Sequence, residues 1–190
     1  MATKRLKSRE KRGIEPPREL RLAVGGLSRR ATRGWLKIGD HVVPCALGRG
    51  GRLTIKREGD GGTPIGRWPL RQIYYRPDHV RRPRSVLSVR ALRRSDGWCD
   101  EPHDGNYNRH VRVPYHASAE QLWRADAVYD LIVVLGYNDR PRMRGRGSAI
   151  FMHVARQGYT PTEGCVALRR PHLVWLLGKI GRRTVLQVLA

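Results

Sequence analysis

The sequence predicts a mainly β domain, a β-sandwich or a partly closed barrel with a few accessory helices. About eight short apolar runs are separated by turn residues, and 21 glycines and 12 prolines supply many of those turns. Only two segments carry helix signals. Neither an internal repeat nor a regular alternation of strands and helices is present, which argues against solenoid and doubly wound folds.

The candidate strands follow one another at short intervals. Gly39 and Asp40 separate two of them and are typical of a hairpin turn. The run at 128–135 reads VYDLIVVL and is the most apolar, so we expect it to be central and buried on both faces. The predicted strands are residues 22–24, 34–38, 41–47, 68–74, 85–89, 128–135, 148–154 and 184–189.

Two segments carry helix start signals. Ser118 is followed three residues later by Gln121, a capping-box pattern that predicts a short helix through Trp123. Pro171 suits the first turn of a second helix, which we expect Gly181 to close. Between the strands, residues 96–113 are rich in polar and turn-forming residues, and their strand propensity is low.

The charge is strongly basic. Lys and Arg number 38 against 16 Asp and Glu, a formal net charge of +22. Such a surface attracts polyanions, whether nucleic acid, anionic lipid head groups or an acidic cell-wall polymer. Residues 1–17 form a basic, polar stretch that we interpret as a flexible tail, and we assign residues 18–190 to one domain.

Several classes of protein are not indicated. No apolar run reaches the roughly 18 residues that a membrane-spanning helix needs, and the N-terminal stretch has no apolar core typical of a secretory signal. The expectation is a cytoplasmic chain or export by a route that the sequence does not reveal. Three cysteines without a CxxC pair do not indicate a disulfide scaffold or a structural zinc site, so no metal and no cofactor are expected.

The stretch at 150–170, IFMHVARQGYTPTEGCVALRR, holds the candidate catalytic residues. His153 ends an apolar run, and Cys165 follows twelve positions later, after turn residues. A thiol needs a base to become nucleophilic near neutral pH, and histidine is the usual base. The spacing suits a strand followed by a loop that returns to it, and Gly164 would allow close backbone approach.

This stretch resembles the motif of the L,D-transpeptidase (YkuD-type) catalytic domain. In that family a His is followed, after a loop, by Ser/Thr-His-Gly-Cys and a hydrophobic residue. Matching residues stand in the same order at His153, Thr162, Gly164, Cys165 and Val166. The sequence departs from the motif in a shorter loop, in Glu163 where many members have a second His, and in Ala167 where many have Asn or Arg. Residues 62–66, GTPIG, resemble a second family segment that turns into a sheet strand.

The resemblance implies the predicted β architecture and a set of roles. Cys165 would be the nucleophile and His153 the base, with a backbone carbonyl near the His orienting its ring. Backbone N–H groups of Gly164 and Cys165 would stabilise the oxyanion.

Other residues are candidates for substrate binding, because stem peptides of the bacterial cell wall are rich in carboxylates that guanidinium groups bind. Glu163 either pairs with Arg156, Arg169 or Arg170, or binds the amino group of an acceptor substrate. A third interpretation of Glu163 is an ordinary solvated carboxylate. The candidate substrate-binding residues are Arg169, Arg170, Tyr137, Asn138, Glu163 and Arg140.

The leading hypothesis is therefore a cysteine acyltransferase that forms peptidoglycan cross-links. Cys165 would attack an L–D peptide bond of a stem peptide, and an amine of a second stem or water would resolve the acyl-enzyme. The cross-link would be of the 3-3 type, with the 1-3 type left open. The family resemblance implies a location at the periplasm or cell envelope, in contact with an anionic wall or membrane surface.

The alternative is a basic β-domain that binds nucleic acid or another polyanion without catalysis. The single Phe and the lack of an RNP-like motif make nucleic acid a poor match.

Overall fold

The computed structural model describes residues 20–190, and the predicted basic tail at 1–17 lies outside them. Within the described range the chain is mainly β, as predicted. In chain order the strands are β1 (Arg21–Gly25), β2 (Arg33–Ile38), β3 (His41–Ala46), β4 (Arg52–Leu53), β5 (Thr63–Pro64), β6 (Gly66–Tyr75), β7 (Ser88–Ala91), β8 (Asp96–Cys99), β9 (Arg109–Arg112), β10 (Ala119–Gln121), β11 (Leu131–Leu135), β12 (Phe151–Val154), β13 (Val166–Leu168) and β14 (Val185–Val188).

The helices are few and short. The α-helix α1 (Arg170–Leu177) has a proline in its first turn, and 3₁₀ turns occupy Ala127–Tyr129 and Gln157–Tyr159. The start of α1 is as predicted, but the helix ends before Gly178, three residues short of the predicted Gly181. None of the helices at positions 20–190 has the length and apolarity needed to cross a membrane.

A closed barrel forms the body of the fold. Its strands follow the order β11-β12-β13-β3-β2-β1-β14-β6, and β6 pairs back onto β11 to close it, while β7 adds to the outside of β6. The β1–β14, β12–β13 and β6–β7 pairs are parallel, and the other pairs in this sheet are antiparallel. Closure removes most of the open sheet edge that would otherwise be exposed to other chains.

Strand β11 separates two apolar cores. Leu131, Val133 and Leu135 belong to the core of the barrel. Ile132 and Val134 point the other way, into a second core outside the barrel that also contains Phe151 and Cys165. Because side chains alternate between the two faces of a strand, a strand buried on both faces must be apolar at every position, as LIVVL is.

A small sheet covers the second core. Strands β8, β9 and β10 form an antiparallel sheet in the order β10-β8-β9. Trp98 of β8 packs edge-to-face on Phe151 of β12, with ring centroids 5.1 Å apart. This sheet therefore lies over the outer face of the barrel where the motif residues stand.

The small sheet corrects two sequence predictions. Residues 96–113 contain two strands despite their low propensity, and the helix predicted from Ser118 through Trp123 is instead strand β10. In the register, Ala119 lies opposite Cys99 and Gln121 opposite Gly97. Pairing with β8 and burial of Leu122 outweigh the local capping pattern, because tertiary packing commonly overrides weak propensities.

A buried carboxylate ties three segments together. Asp130 is fully buried just before β11 and accepts a hydrogen bond from His79 Nδ1 at 2.6 Å. Arg170, the first residue of α1, also donates to Asp130. His79 in turn contacts Arg76, at 3.3 Å between Nε2 and the guanidinium, so Asp130 joins the end of β6, the start of β11 and the start of α1.

Replacing Asp130 with Ala should destabilise the fold. Removing one partner from a buried ion pair is costly, but the Arg170 and His79 side chains are 41% and 36% exposed and can regain water. We therefore expect a loss of about 2–3 kcal/mol in the free energy of unfolding, below the full cost of a buried pair. Urea denaturation monitored by tryptophan fluorescence measures it.

The matched control is Asp139→Ala, which removes the carboxylate of the partly exposed Arg71–Asp139 pair. Its expected cost is about 0–1 kcal/mol. Equal losses in the two variants would show that Asp130 does not join the three segments in the way described.

Candidate active site

A cleft of about 570 Å³ opens between the barrel and the small sheet, and both Cys165 and His153 border it. We call it the Cys165 cleft. Strands β12 and β13 are parallel neighbours in which Met152 lies opposite Val166 and His153 opposite Ala167. Because Met152 and Val166 face the barrel core, the alternation of side chains turns His153 and Cys165 to the outer face together.

The imidazole of His153 is held by its own strand. Its Nδ1 lies 3.0 Å from the carbonyl oxygen of Val154, which only accepts, so Nδ1 carries the proton and Nε2 keeps its lone pair. The ring packs edge-to-face on Tyr129 at 5.4 Å between centroids. Burial lowers the pKa of His153 to about 4, because the charged imidazolium loses its solvation there.

The thiol of Cys165 is held by the start of β12. The Phe151 N–H donates to Sγ at 3.3 Å, and Sγ donates to the Ala149 carbonyl oxygen at 3.3 Å. Cys165 is only 6% exposed, and burial raises the pKa of its thiol to about 12. Thiol and imidazole are therefore both neutral at rest, since burial disfavours the charged form of each.

The turn before the thiol requires glycine. Gly164 has φ +123°, and a Cβ at this position would come within 2.7 Å of the Gly62 carbonyl oxygen. Its N–H donates to Thr162 Oγ1 at 3.2 Å, and that hydroxyl donates to the Cys165 carbonyl oxygen at 2.7 Å. The backbone N–H of Gly164, which was predicted to donate to the oxyanion, is thus already hydrogen-bonded to Thr162. This N–H would have to leave Thr162, or be shared with it, in order to bind an oxyanion.

Glu163 borders the cleft, but its partner is not one of the predicted arginines. Its carboxylate accepts from Arg49 Nε at 2.6 Å, and both side chains are exposed, at 74% and 59%. Arg156 pairs with Asp126 at 3.2 Å instead, and Arg170 pairs with Asp130. Of the three interpretations of Glu163, the pair with Arg156, Arg169 or Arg170 was wrong, because proximity along the chain did not reveal that residue 49 lies opposite Glu163.

The remaining predicted substrate-binding residues lie elsewhere. Arg169 and Arg170 precede or begin α1 and do not border the Cys165 cleft as the structure describes it. Tyr137, Asn138 and Arg140 border a separate cavity beyond the end of β11. The Asn138 side chain there holds a loop together through Met143 and Gly147 at 2.8–2.9 Å, which is a structural role.

The structure adds polar residues that the sequence analysis missed. Tyr129 donates its hydroxyl to Glu120 Oε1 at 2.7 Å, and Arg124 donates to Asp126 at 2.8 and 3.0 Å. The polar residues that were missed and border the cleft are Arg49, Glu58, Asp100, Glu120, Arg124, Tyr129 and Ser148. Several come from the small sheet or its flanks, so no local motif in the sequence identifies them.

The histidine makes stability depend on pH in a definite direction. The unfolded chain binds a proton at His153 near the ordinary pKa of 6.5, whereas the folded chain does so only near 4. Between these values the unfolded state binds more protons, so the free energy of unfolding falls as pH is lowered from about 6.5 to about 4. His153 should contribute about 2–4 kcal/mol to this fall.

Urea denaturation at a series of pH values, for wild type and His153→Gln, measures that contribution. Glutamine keeps a polar side chain but cannot be protonated in this range, so the acid-induced loss should be smaller in the variant. Parallel pH profiles for the two proteins would contradict a buried, neutral His153.

The chain is similar to known proteins. Among the solved structures that match, that of L,D-transpeptidase 1 from Mycobacterium tuberculosis has a TM-score of 0.42 and 11% identity, and the match covers 90% of this chain and 62% of that one. The present chain therefore spans less than two thirds of that protein. A search of curated proteins gave no match.

The family comparison covers nearly the whole described chain. The model of the L,D-transpeptidase catalytic domain, YkuD, matches residues 27–188, a range that contains every strand of the closed barrel except β1, together with the small sheet and the Cys165 cleft. The resemblance expected from the motif around Cys165 is confirmed. The chain belongs to the L,D-transpeptidase catalytic-domain (YkuD) family.

Proposed function

We propose that this protein is an L,D-transpeptidase that acts on peptidoglycan stem peptides, with Cys165 as nucleophile and His153 as base. The observation that carries the proposal is that His153 of β12 and Cys165, which immediately precedes the adjacent strand β13, both face outward from the barrel and border one cleft. The family match supports the reaction class. The role of each residue rests on chemistry, since nucleophilic catalysis by a thiol requires a base, and an imidazole that borders the same cleft can serve as that base.

The neutral state of the pair determines how the first step proceeds. With the thiol pKa raised to about 12 and the imidazole pKa lowered to about 4, a resting thiolate–imidazolium pair is disfavoured. The proton therefore leaves Sγ for Nε2 of His153 as sulfur attacks the L–D carbonyl carbon. The imidazolium then protonates the leaving amine, the C–N bond breaks, and a thioester to Cys165 remains.

The orientation of His153 supports this role. A base must offer its lone pair towards the cleft, and the Nδ1–Val154 hydrogen bond leaves Nε2 free to do so. Orientation by a backbone carbonyl is also what the family resemblance implied. The backbone N–H of Cys165 is the first candidate to stabilise the oxyanion, with the Gly164 N–H joining it on release from Thr162.

Cationic side chains at the cleft suit the carboxylates of a stem peptide. Arg49, Arg124 and Arg156 border it, and we assign them the anion-binding role that the sequence analysis gave to Arg140, Arg169 and Arg170. Each is held by a carboxylate, Glu163 or Asp126, which fixes the guanidinium in position. An amine of a second stem then resolves the thioester to give a cross-link, of the 3-3 type in the first instance, and water gives a trimmed stem.

The net charge of +22 favours a location beside an anionic surface. We assign the protein to the cell envelope, where a basic surface would associate with anionic wall polymer or lipid. Catalysis does not depend on this association. High salt should therefore weaken retention on anionic polymer, while a small, soluble stem peptide reacts nearly as before.

The direct test is intact-protein mass spectrometry with a stem tetrapeptide as acyl donor. The protein should gain the mass of the acyl group, and peptide mapping should place it on Cys165. Cys165→Ala should fold normally and gain no mass. Acylation that persists in Cys165→Ala, or its absence from the wild type, would contradict the proposal.

His153→Ala tests the base in the same assay. Loss of a general base typically lowers the rate by about 10²–10⁴-fold, so the adduct should still form, but far more slowly. His172→Ala is the matched control, because His172 lies on α1 and does not border the Cys165 cleft. Wild-type acylation rates in His153→Ala would remove His153 from the mechanism.

A further inference from the structure

Two carboxylates stand on the small-sheet wall of the Cys165 cleft. Glu120 lies opposite Trp98 in the β10–β8 pair, and Asp100 follows Trp98 by two residues, so the alternation of side chains places Asp100 and Glu120 on one face. The pairing extends past β8, since the Asp100 N–H donates to the Ser118 carbonyl oxygen at 3.2 Å. Both residues border the cleft with Cys165.

Polar atoms beside these carboxylates lack partners. Asp100 Oδ1 and Ser148 Oγ are both buried, and neither forms a hydrogen bond within residues 20–190. Ser148 is only 6% exposed and borders the same cleft. A buried polar group without a partner costs roughly 1–3 kcal/mol, so a ligand that hydrogen-bonds to these two atoms would gain binding free energy from them.

The charges around the cleft divide into two groups. Glu163 is paired with Arg49, and Asp126 with Arg124 and Arg156. Asp100, Glu120 and Glu58 enter no ion pair with any described residue. Glu58 accepts from the Tyr107 hydroxyl, and Glu120 accepts only from the Tyr129 hydroxyl among the hydrogen bonds at its side chain. Burial raises the pKa of Glu120, and the negative charge of Asp100 raises it further. A cation between the two carboxylates would relieve that repulsion.

We propose that Asp100, Glu120 and Ser148 form the binding site for the protonated amino group of the acceptor stem, an inference that rests on the proposed transpeptidase function. A primary ammonium group has three N–H donors and no acceptor. The three side chains offer two carboxylates and one hydroxyl oxygen. Their place on the wall of the Cys165 cleft brings the acceptor nitrogen to the side of the thioester.

The reaction that follows balances in protons. The bound ammonium gives one proton to the Glu120 carboxylate and becomes a neutral amine. Its nitrogen attacks the thioester carbon, the C–N bond forms, and the C–S bond breaks. The second proton lost by nitrogen passes to His153 and then to the departing sulfur of Cys165. Glu120 releases its proton to solvent, so ammonium and thioester yield amide, thiol and one proton.

The test measures partition of the acyl-enzyme. Full-length wild type and variants are acylated with a stem tetrapeptide, and the ratio of aminolysis to hydrolysis is measured with two nucleophiles. One is a stem peptide with a free diamino-acid amine, which is cationic at neutral pH. The other is hydroxylamine, which is uncharged there. The variants are Asp100→Asn, Glu120→Gln and Ser148→Ala, with Glu101→Gln as a charge-matched control that does not border the cleft.

With the stem amine, Asp100→Asn and Glu120→Gln should each lower the ratio about tenfold, because each loses one charge-assisted hydrogen bond. With hydroxylamine their ratios should match the wild type, and acylation should be no slower. Ser148→Ala should lower the stem-amine ratio less, and Glu101→Gln should not change it. The use of three cleft variants keeps the test valid when one of them fails to fold.

Other outcomes would overturn the inference. One is an unchanged ratio of aminolysis to hydrolysis with the stem amine in the cleft variants. Another is an equal fall in that ratio with hydroxylamine, which would show that the charge of the amine is not recognised. Glu163→Gln is included because Glu163 is the competing acceptor residue, and a fall in that variant alone would assign the role there. If wild type forms no adduct, the proposed function fails and this inference with it, a result distinct from normal acylation with an unchanged ratio.

Discussion

Desolvation of Cys165 and His153 is the constraint on which the rest of the site depends. Both side chains stand on the outer face of the barrel wall, where the small sheet β8–β10 covers them. The inner face of the same two strands supplies Met152, Val154 and Val166 to the barrel core. One pair of strands thus builds a core on one side and places Cys165 and His153 at the cleft on the other, because side chains alternate.

The burial of Cys165 and His153 away from water explains how the charged groups around the cleft are arranged. A neutral thiol and a neutral imidazole need no permanent counter-charge, so the ionic groups stand around them in pairs such as Arg49 with Glu163. Asp100, Glu120 and Glu58 depart from this arrangement, since none of them forms an ion pair with a described residue. In our account the substrates complete the site: carboxylates of the stems meet the guanidinium groups, and the acceptor ammonium meets the carboxylates.

Much of the fold, and the position of Cys165 and His153 at one cleft, could be predicted from sequence, because both depend on local patterns. The apolar run before His153, the turn at Gly164 and the run LIVVL each reflect a constraint on a few adjacent residues. The cleft walls could not be predicted in this way. Strand β10 has a helix-start pattern and becomes a strand only by pairing with β8, and Arg49 meets Glu163 across 114 positions. Arg170 is close to Cys165 in sequence, but it begins α1 and pairs there with Asp130, which lies just before β11.

The central claim, that thiol and imidazole are neutral at rest, can be measured by following thiolate absorbance in the ultraviolet as pH is raised. The difference between wild type and Cys165→Ala isolates Cys165 from Cys45 and Cys99. The account predicts no Cys165-dependent rise near neutral pH and an increase only in the alkaline range, towards the pKa of about 12. A Cys165-dependent step at or below neutral pH, lost in His153→Ala, would reveal a preformed thiolate–imidazolium pair and contradict it.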